Sequence, residues 1–302
     1  MPAIHEIADP FERYCAFLIE RNNIYKKKSA GEPWPWTDDH ILQEFRFTEV
    51  YRERDKTSLH YRKTIRDFYN EDQLVLPATV LYRWFNRIET CEHIFGQMDF
   101  DNQSIFERYI ANGCERPSMI WDFVDSLPEP HVTGAFIING MPGYSKSTGV
   151  ILYFHEWCKK PWESTWKGWL NNPPMLGEMY EWLRKDGKGL GSFMAAQLVA
   201  DLKYLLFMKS VPDWWTFAAP GPGSMRGLNV VFGRLMNQSW KADEWEEKIL
   251  LLNGRENLAL EPYNLGPFHC QDTQNHCCEF SKYTKAMLGT GRPRQTYRLN
   301  SF

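Results

Sequence analysis

Apolar residues recur at three- and four-residue spacing along most of this chain, and that period confines it to a mainly α fold. Phe11, Tyr14, Phe17, Leu18 and Ile24 set the register of a first helix over 11–29, which closes on Lys26-Lys27-Lys28 and the breaker Gly31-Glu32-Pro33. The spacing predicts further helices over 40–69, with Thr37 or Asp38 as cap, and over 76–96, 103–111, 176–184, 192–208 and 241–252. A shorter helix follows the turn Ala219-Pro220-Gly221-Pro222-Gly223. Two stretches read instead as a minor β element: Val132 to Ile138 and Gly149 to Tyr153.

No internal repeat or low-complexity linker divides the 302 residues, so one domain, or two closely packed lobes, is expected. The 13 Trp are costly on plain surface and point to core filling or stacking platforms. With a formal net charge of −3 there is no protein-wide positive field, so any contact with nucleic acid must rest on a local basic face. No apolar signal core opens the sequence, no run of 18 apolar residues occurs, and seven cysteines form no regular disulfide framework. The chain therefore reads as intracellular, with reduced thiols and no membrane partner.

Five segments carry possible chemistry. In Lys188-Gly189-Leu190-Gly191-Ser192, followed by Ala195 and Ala196, a Gly-x-Gly turn joins two helices. Such a turn exposes backbone N–H groups at a helix N-terminus, a geometry that holds a DNA phosphate; an ordinary glycine-capped turn has the same residues. The run Gly140 to Thr148 approaches a phosphate-binding P-loop, but Ser145 stands where the second glycine belongs and β-branched residues follow Lys146. A nucleotide-triphosphatase core is not expected.

Two prolines and three glycines constrain the path into Ser224-Met225-Arg226-Gly227, where Ser224 is a candidate cap and Arg226 projects from the first turn. If the stretch from Cys270 to Tyr283 is helical, Asp272, Asn275, Glu279 and Lys282 share one face. That set suits proton transfer and anion contact, although a solvated helix face would look alike. Finally, Arg46, Arg52 and Asp55, and later Arg83 and Asn86, sit among aromatic residues, as phosphate and base contacts do; an amphipathic helix gives the same pattern. His269, Cys270, His276, Cys277 and Cys278 match no common zinc spacing, so neither a metal nor another cofactor is expected. The basic stretch from residue 281 to the end, without a single carboxylate, lies solvated or touches phosphates.

In order and spacing, PWPWTDDHILQEFRFTEVYRERD, LYRWFNR, GLGSFMAAQLVADLKY, PGPGSMRGLN and QDTQNHCCEFSKY…GTGRPRQ resemble one family over residues 11–298. It is the phage thymine-hypermodification family once called alpha-glutamyl/putrescinyl thymine pyrophosphorylases. The resemblance implies a helical domain similar to helix-hairpin-helix DNA glycosylases over residues 1–302, with the hairpin near 176–208. One branch of the family joins this domain to a P-loop kinase for 5-hydroxymethyluracil in DNA, which this sequence lacks. The resemblance therefore implies the stand-alone amino acid:DNA transferase branch, acting on duplex DNA with modified thymine and an amino acid or amine in the host cytoplasm.

On that reading Lys188, Gly189, Gly191 and Ser192 anchor DNA. Arg46, Arg52, Asp55, Arg83, Asn86 and Arg226 bind substrate, and Asp272, Asn275, Glu279 and Lys282 form the catalytic set. Two residues depart from the family pattern: Glu49 stands where Asn is frequent, and Asn275 where His is frequent. The second moves acid–base work to Asp272, Glu279 or His276. The alternatives are a DNA glycosylase, for which no catalytic Asp is evident after Asp201, and a non-catalytic DNA-binding partner of the kinase.

Overall fold

A computed structural model describes residues 3–70, 72–96, 102–134, 141–186 and 190–297. The chain is mainly helical, as the apolar period requires. The longer helices are α1 (Pro10–Ser29), α2 (Val75–Phe85), α3 (Ile88–Gly96), α4 (Ser118–Asp125), α5 (Lys146–Cys158) and α6 (Trp162–Asn171). They continue with α7 (Leu176–Asp186), α8 (Ser192–Leu202), α9 (Pro222–Val231), α10 (Ala242–Leu260) and α11 (Cys270–Met287). Two compact units contain them. One is Met1–Asp55 with Trp215–Phe302, and the other is Lys56–Trp214.

The discontinuous unit is built on α1, α9, α10 and α11. Asp9 caps α1 by accepting the Glu12 N–H at 2.8 Å, Pro10 supplies a preset first turn, and Lys26, Lys27 and Lys28 sit at the negative end of the helix dipole. The buried face of α1 carries Tyr14, Phe17 and Leu18 into a core shared with Leu228, Trp245, Leu252, Phe280 and Tyr283. Burying a ring such as Phe17 stabilises by about 1.5–3 kcal/mol.

Helix α9 lies tightly on α11, and its glycines are the reason. A Cβ on Gly227 would fall 1.9 Å from the Cys277 carbonyl oxygen, and one on Gly223 would fall 2.5 Å from the Cys278 sulfur. Thus the Pro/Gly segment serves helix packing. Ser224 is not the cap: Gly221 is, and Ser224 in the first turn accepts the Gly221 N–H at 3.1 Å.

The long helix expected over 40–69 is absent. Asp39, not Thr37 or Asp38, caps a five-residue turn, His40–Glu44, by accepting the Ile41 and Leu42 N–H groups. From Phe45 to Glu49 the chain forms no helix, and it bends at Val50 and Tyr51. Phe45 and Phe47 are buried while Arg46 is exposed, an alternation of period two. The C-terminal basic stretch pairs with this segment. Thr296 forms an antiparallel bridge with Phe45, Arg46 N–H donates to the Gln295 carbonyl at 2.9 Å, and Arg292 pairs with Glu44. Helix resumes with a short turn at Arg52–Arg54 and then runs without a break over 56–69, so only the second half of the expected helix forms.

In the continuous unit, Gly149 to Tyr153 belongs to α5 and not to a strand, and Lys146 does open a helix, with Ser145 as its cap. Val150 and Ile151 are buried there, so packing outweighs their β preference. Val132 to Gly134 form a loop, and the rest of that expected strand lies outside the described residues. The bridge at Phe45 is the sole β pairing among the described residues. Trp84, Trp157 and Trp166 are fully buried, with Trp84, Phe154 and Trp157 in ring contact. Among the described residues no helix is long and apolar enough to cross a membrane, and no disulfide joins any of the seven cysteines.

Candidate functional site

Helix α11 forms as its pattern requires. The His269 ring Nδ1 accepts the Asp272 N–H at 3.1 Å, capping the helix, and the inner face carries Cys277, Phe280 and Tyr283 into the core. Asn275, Glu279 and Lys282 lie about one turn apart along another face; Asn275 and Glu279 both reach Thr48, and Lys282 joins them through Glu279. The Asn275 amide donates to Thr48 Oγ1 at 3.3 Å, and the Thr48 N–H donates to Glu279 Oε2 at 3.3 Å. The other Glu279 oxygen accepts Lys282 Nζ at 2.6 Å. From α1, Arg21 donates to the Thr48 carbonyl.

Charge gathers around this junction. Burial pulls the Arg21 guanidinium below its ordinary value, against the opposing pull of Glu279, Glu49 and Asp55. Burial raises Asp55 and Glu49 above the usual carboxylate range, and for Glu49 the Asp55 charge adds to it. Burial alone would lower Lys282, but the Glu279 charge outweighs it and raises the ammonium. Asp55 also accepts the Glu49 N–H at 3.0 Å. Arg46 acts electrostatically on Glu49, and Arg52 on Asp55. Three carboxylates and several cations therefore meet on a half-buried surface, an arrangement suited to holding anions and accepting a proton.

Asp272 stands apart from this group. Its carboxylate lies 3.3 Å from the His269 ring, both buried at the start of α11. Arg226 on α9 donates to Asn237 Oδ1 at 3.2 Å, and its charge reaches Cys278. That thiol is pushed up to about 11 by burial and by Glu279. His276, an alternative acid–base group, is fully buried: Nε2 donates to the Val50 carbonyl at 2.7 Å and Nδ1 faces Glu256 at 3.4 Å. Tyr14 and Thr273 donate to the same Glu256 carboxylate, making a structural network.

Arg83 and Asn86 lie in the continuous unit. Arg83 grips Asp201 through two nitrogens at 2.5 and 2.8 Å and donates to Asn86 Oδ1 at 2.8 Å, with both charges buried. Asn86 has a left-handed backbone, φ 44°, and ends α2. In the glycine turn, Lys188 and Gly189 lie outside the described residues. Gly191 caps α8 at φ −69° with open space beside it, and Ser192 is exposed at the first turn. Among the described residues no group of three or more His, Cys, Asp or Glu side chains is placed to hold a metal ion.

Two residues at the junction were not expected from sequence, Arg21 and Thr48. Arg21 carried a usable signal, because it falls on the same three- to four-residue register as Tyr14, Phe17, Leu18 and Ile24. A charge on the apolar stripe of a helix requires a partner. Thr48 carried none.

These features define an α-helical protein with a charged face assembled on α11. The family described as 5-hmdU DNA kinase, helical domain, matches residues 8–292, and the chain belongs to it. The 5-hmdU DNA kinase of Bacillus phage SP10 is 26% identical over 292 residues, covering 90% of this chain and 44% of that protein. The chain thus spans less than half the length of this relative. No solved structure matches it significantly.

Proposed function

We propose that this protein transfers an amino acid or amine onto the (pyro)phosphorylated 5-hydroxymethyl group of uracil in duplex DNA. The amine nitrogen bonds to the exocyclic carbon, the carbon–oxygen bond breaks, and (pyro)phosphate leaves with the electron pair. The proton released from nitrogen passes to a carboxylate. The observation that carries this reading is the junction at Thr48, which Asn275, Glu279 and Arg21 all contact and which Lys282 joins through Glu279, with the Glu49 and Asp55 charges acting on Arg21. It places a carboxylate and cations within one small region, as displacement of an anion by an amine requires.

Lys282 is assigned to the departing anion, with Arg46, Arg52 and Arg226 as further candidate anion contacts. Glu279 is preferred to Asp272 as base because it lies at the Thr48 junction, whereas Asp272 sits apart from it against His269. Asn275 orients the substrate, and the N-terminus of α8, with Gly191 and Ser192, is assigned to a DNA phosphate. The target base must leave the stack to meet a second substrate. The test is nucleoside mass analysis of pyrophosphomethyl-uracil DNA incubated with the protein and mixed amino acids. A new amino-acid adduct is expected, and none with any amino acid would overturn the reading.

The family description favours a second reading, a DNA-presenting helical module for phosphorylation of 5-hydroxymethyluracil. It requires DNA affinity without any nucleoside change by this chain alone. A glycosylase is less well supported, because Asp201, after the glycine turn, is fully buried against Arg83.

A further inference from the structure

Cys114 stands where the backbone does not favour it. The turn after the helix Ile105–Ala111 passes through Gly113 and Cys114 with φ of 66° and 58°. Among the described residues every other non-glycine position with positive φ is an asparagine, whose short polar side chain can bond to nearby backbone. A cysteine lacks that compensation, so the turn itself does not require one. Helix α5 clamps the turn. The Cys114 carbonyl accepts His155 Nδ1 at 2.8 Å and the Tyr109 hydroxyl at 3.1 Å, and the Cys114 N–H donates to the Tyr109 carbonyl at 3.1 Å. One turn beyond His155, on the same face of α5, Cys158 donates its S–H to the Cys114 sulfur.

That contact changes the chemistry of Cys114. Burial pushes the thiols of Cys15, Cys91, Cys158, Cys277 and Cys278 up. Cys114 is instead pulled below its ordinary value, by the Cys158 donor and against its own burial. The two residues are only 6% and 9% exposed, but Cys158 lines an open cavity of about 320 Å³ with Lys160, Pro161 and Lys167. A small solute therefore has a path to the pair, whereas a bulky one is hindered.

We propose that Cys114 and Cys158 are a peroxide-reactive pair, which a hydroperoxide closes to a disulfide and a thiol reductant reopens. The Cys114 thiolate attacks one peroxide oxygen. The S–O bond forms, the O–O bond breaks, and hydroxide leaves and is protonated to water. The Cys158 sulfur then gives up its proton and attacks the Cys114 sulfur. The S–S bond forms, the S–O bond breaks, and the oxygen leaves as a second water. Two thiols lose two electrons and two protons, and hydrogen peroxide takes up both. The pair lies within the continuous unit and does not depend on the transferase reading.

Brief treatment of the native full chain with hydrogen peroxide, an acid quench and peptide mass mapping test it. A Cys114–Cys158 linked peptide, lighter by two hydrogens and lost on treatment with dithiothreitol, is expected. It should form at least about tenfold faster than oxidation at Cys15 or Cys91. Cys158→Ser keeps a donor but not the second sulfur, so Cys114 should gain oxygen as sulfenic or sulfinic acid. Cys158→Ala removes the donor as well, so Cys114 should gain oxygen more slowly than in Cys158→Ser, with the difference shrinking at alkaline pH. The inference is overturned if no linked peptide forms, or if Cys114 is oxidised no faster than Cys15 and Cys91. It is equally overturned if Cys114 gains no oxygen in Cys158→Ser, or if the serine and alanine variants react alike. The first two outcomes are read on the wild type, so they decide the matter even if a variant fails to fold.

Discussion

Replacing Gly227 by alanine should destabilise the discontinuous unit, although alanine is the better helix former. The added Cβ would sit 1.9 Å from the Cys277 carbonyl oxygen and 2.8 Å from the Cys277 Cα. Both atoms are backbone, so no side-chain rotation relieves the contact. To reach the 3.4 Å of ordinary contact from 1.9 Å, α9 and α11 must part by 1.5 Å. Overpacking of this kind costs about 3 kcal/mol, and the gain in helix propensity returns about 1. The net loss is about 2 kcal/mol.

Gly254→Ala on α10 is the matched control, because nothing lies within 4 Å of its added Cβ. It should stabilise by up to about 1 kcal/mol. Urea denaturation followed by circular dichroism compares the two, and a Gly227→Ala protein as stable as Gly254→Ala refutes the reasoning. Since α11 carries Asn275, Glu279 and Lys282, the folded fraction of Gly227→Ala should also lose activity on DNA.

Further outcomes are expected elsewhere. Arg83→Met removes the two-nitrogen grip on the buried Asp201 carboxylate and should cost about 3–5 kcal/mol, while adding Asp201→Leu should recover part of that loss in the same denaturation assay. Asp55 is raised by burial, so the folded state holds its proton more tightly than the unfolded chain does. Its contribution is full below the unfolded value of 3.8 and is lost as pH rises through the higher folded value. Asp55→Asn should therefore unfold at higher urea than wild type at pH 7, with the advantage shrinking toward pH 4. Glu279→Gln and Lys282→Met should each lower adduct formation by about a hundredfold with DNA affinity retained; full activity in both would remove the site. Gly191→Glu, beside the exposed N-terminus of α8, should weaken DNA binding in gel-shift assays without altering nucleoside composition in single-stranded controls.

Helix α1 was legible because its apolar stripe and basic end agree; only the first part of α10, over 241–252, was expected, and α11 only on the condition that Cys270 to Tyr283 is helical. The non-helical segment over 45–51 was not, since Phe45, Arg46 and Phe47 fit the edge of a helical stripe as readily as a period of two. Tertiary pairing with Thr296, far along the chain, decides between them. In α5 the β-branched Val150 and Ile151 suggested strand, but a capping Ser145 and a buried environment favour helix. For the site, the spacing of Asn275, Glu279 and Lys282 was visible, while their junction at Thr48 was not. A hub that acts through its backbone leaves no signature in a side-chain pattern.

The discontinuous unit also has a consequence for how the protein is made. Its core joins Phe17 on α1 to Phe280 and Tyr283 on α11, so the first helix waits for nearly the last one to leave the ribosome. The stretch Lys56–Trp214 is complete well before then and has its own buried aromatic core. During synthesis the start of α8 is thus formed ahead of the charged face on α11. A nascent chain halted before residue 270 carries the proposed DNA contact without the groups proposed to act on it, and leaves the apolar face of α1 open to chaperones.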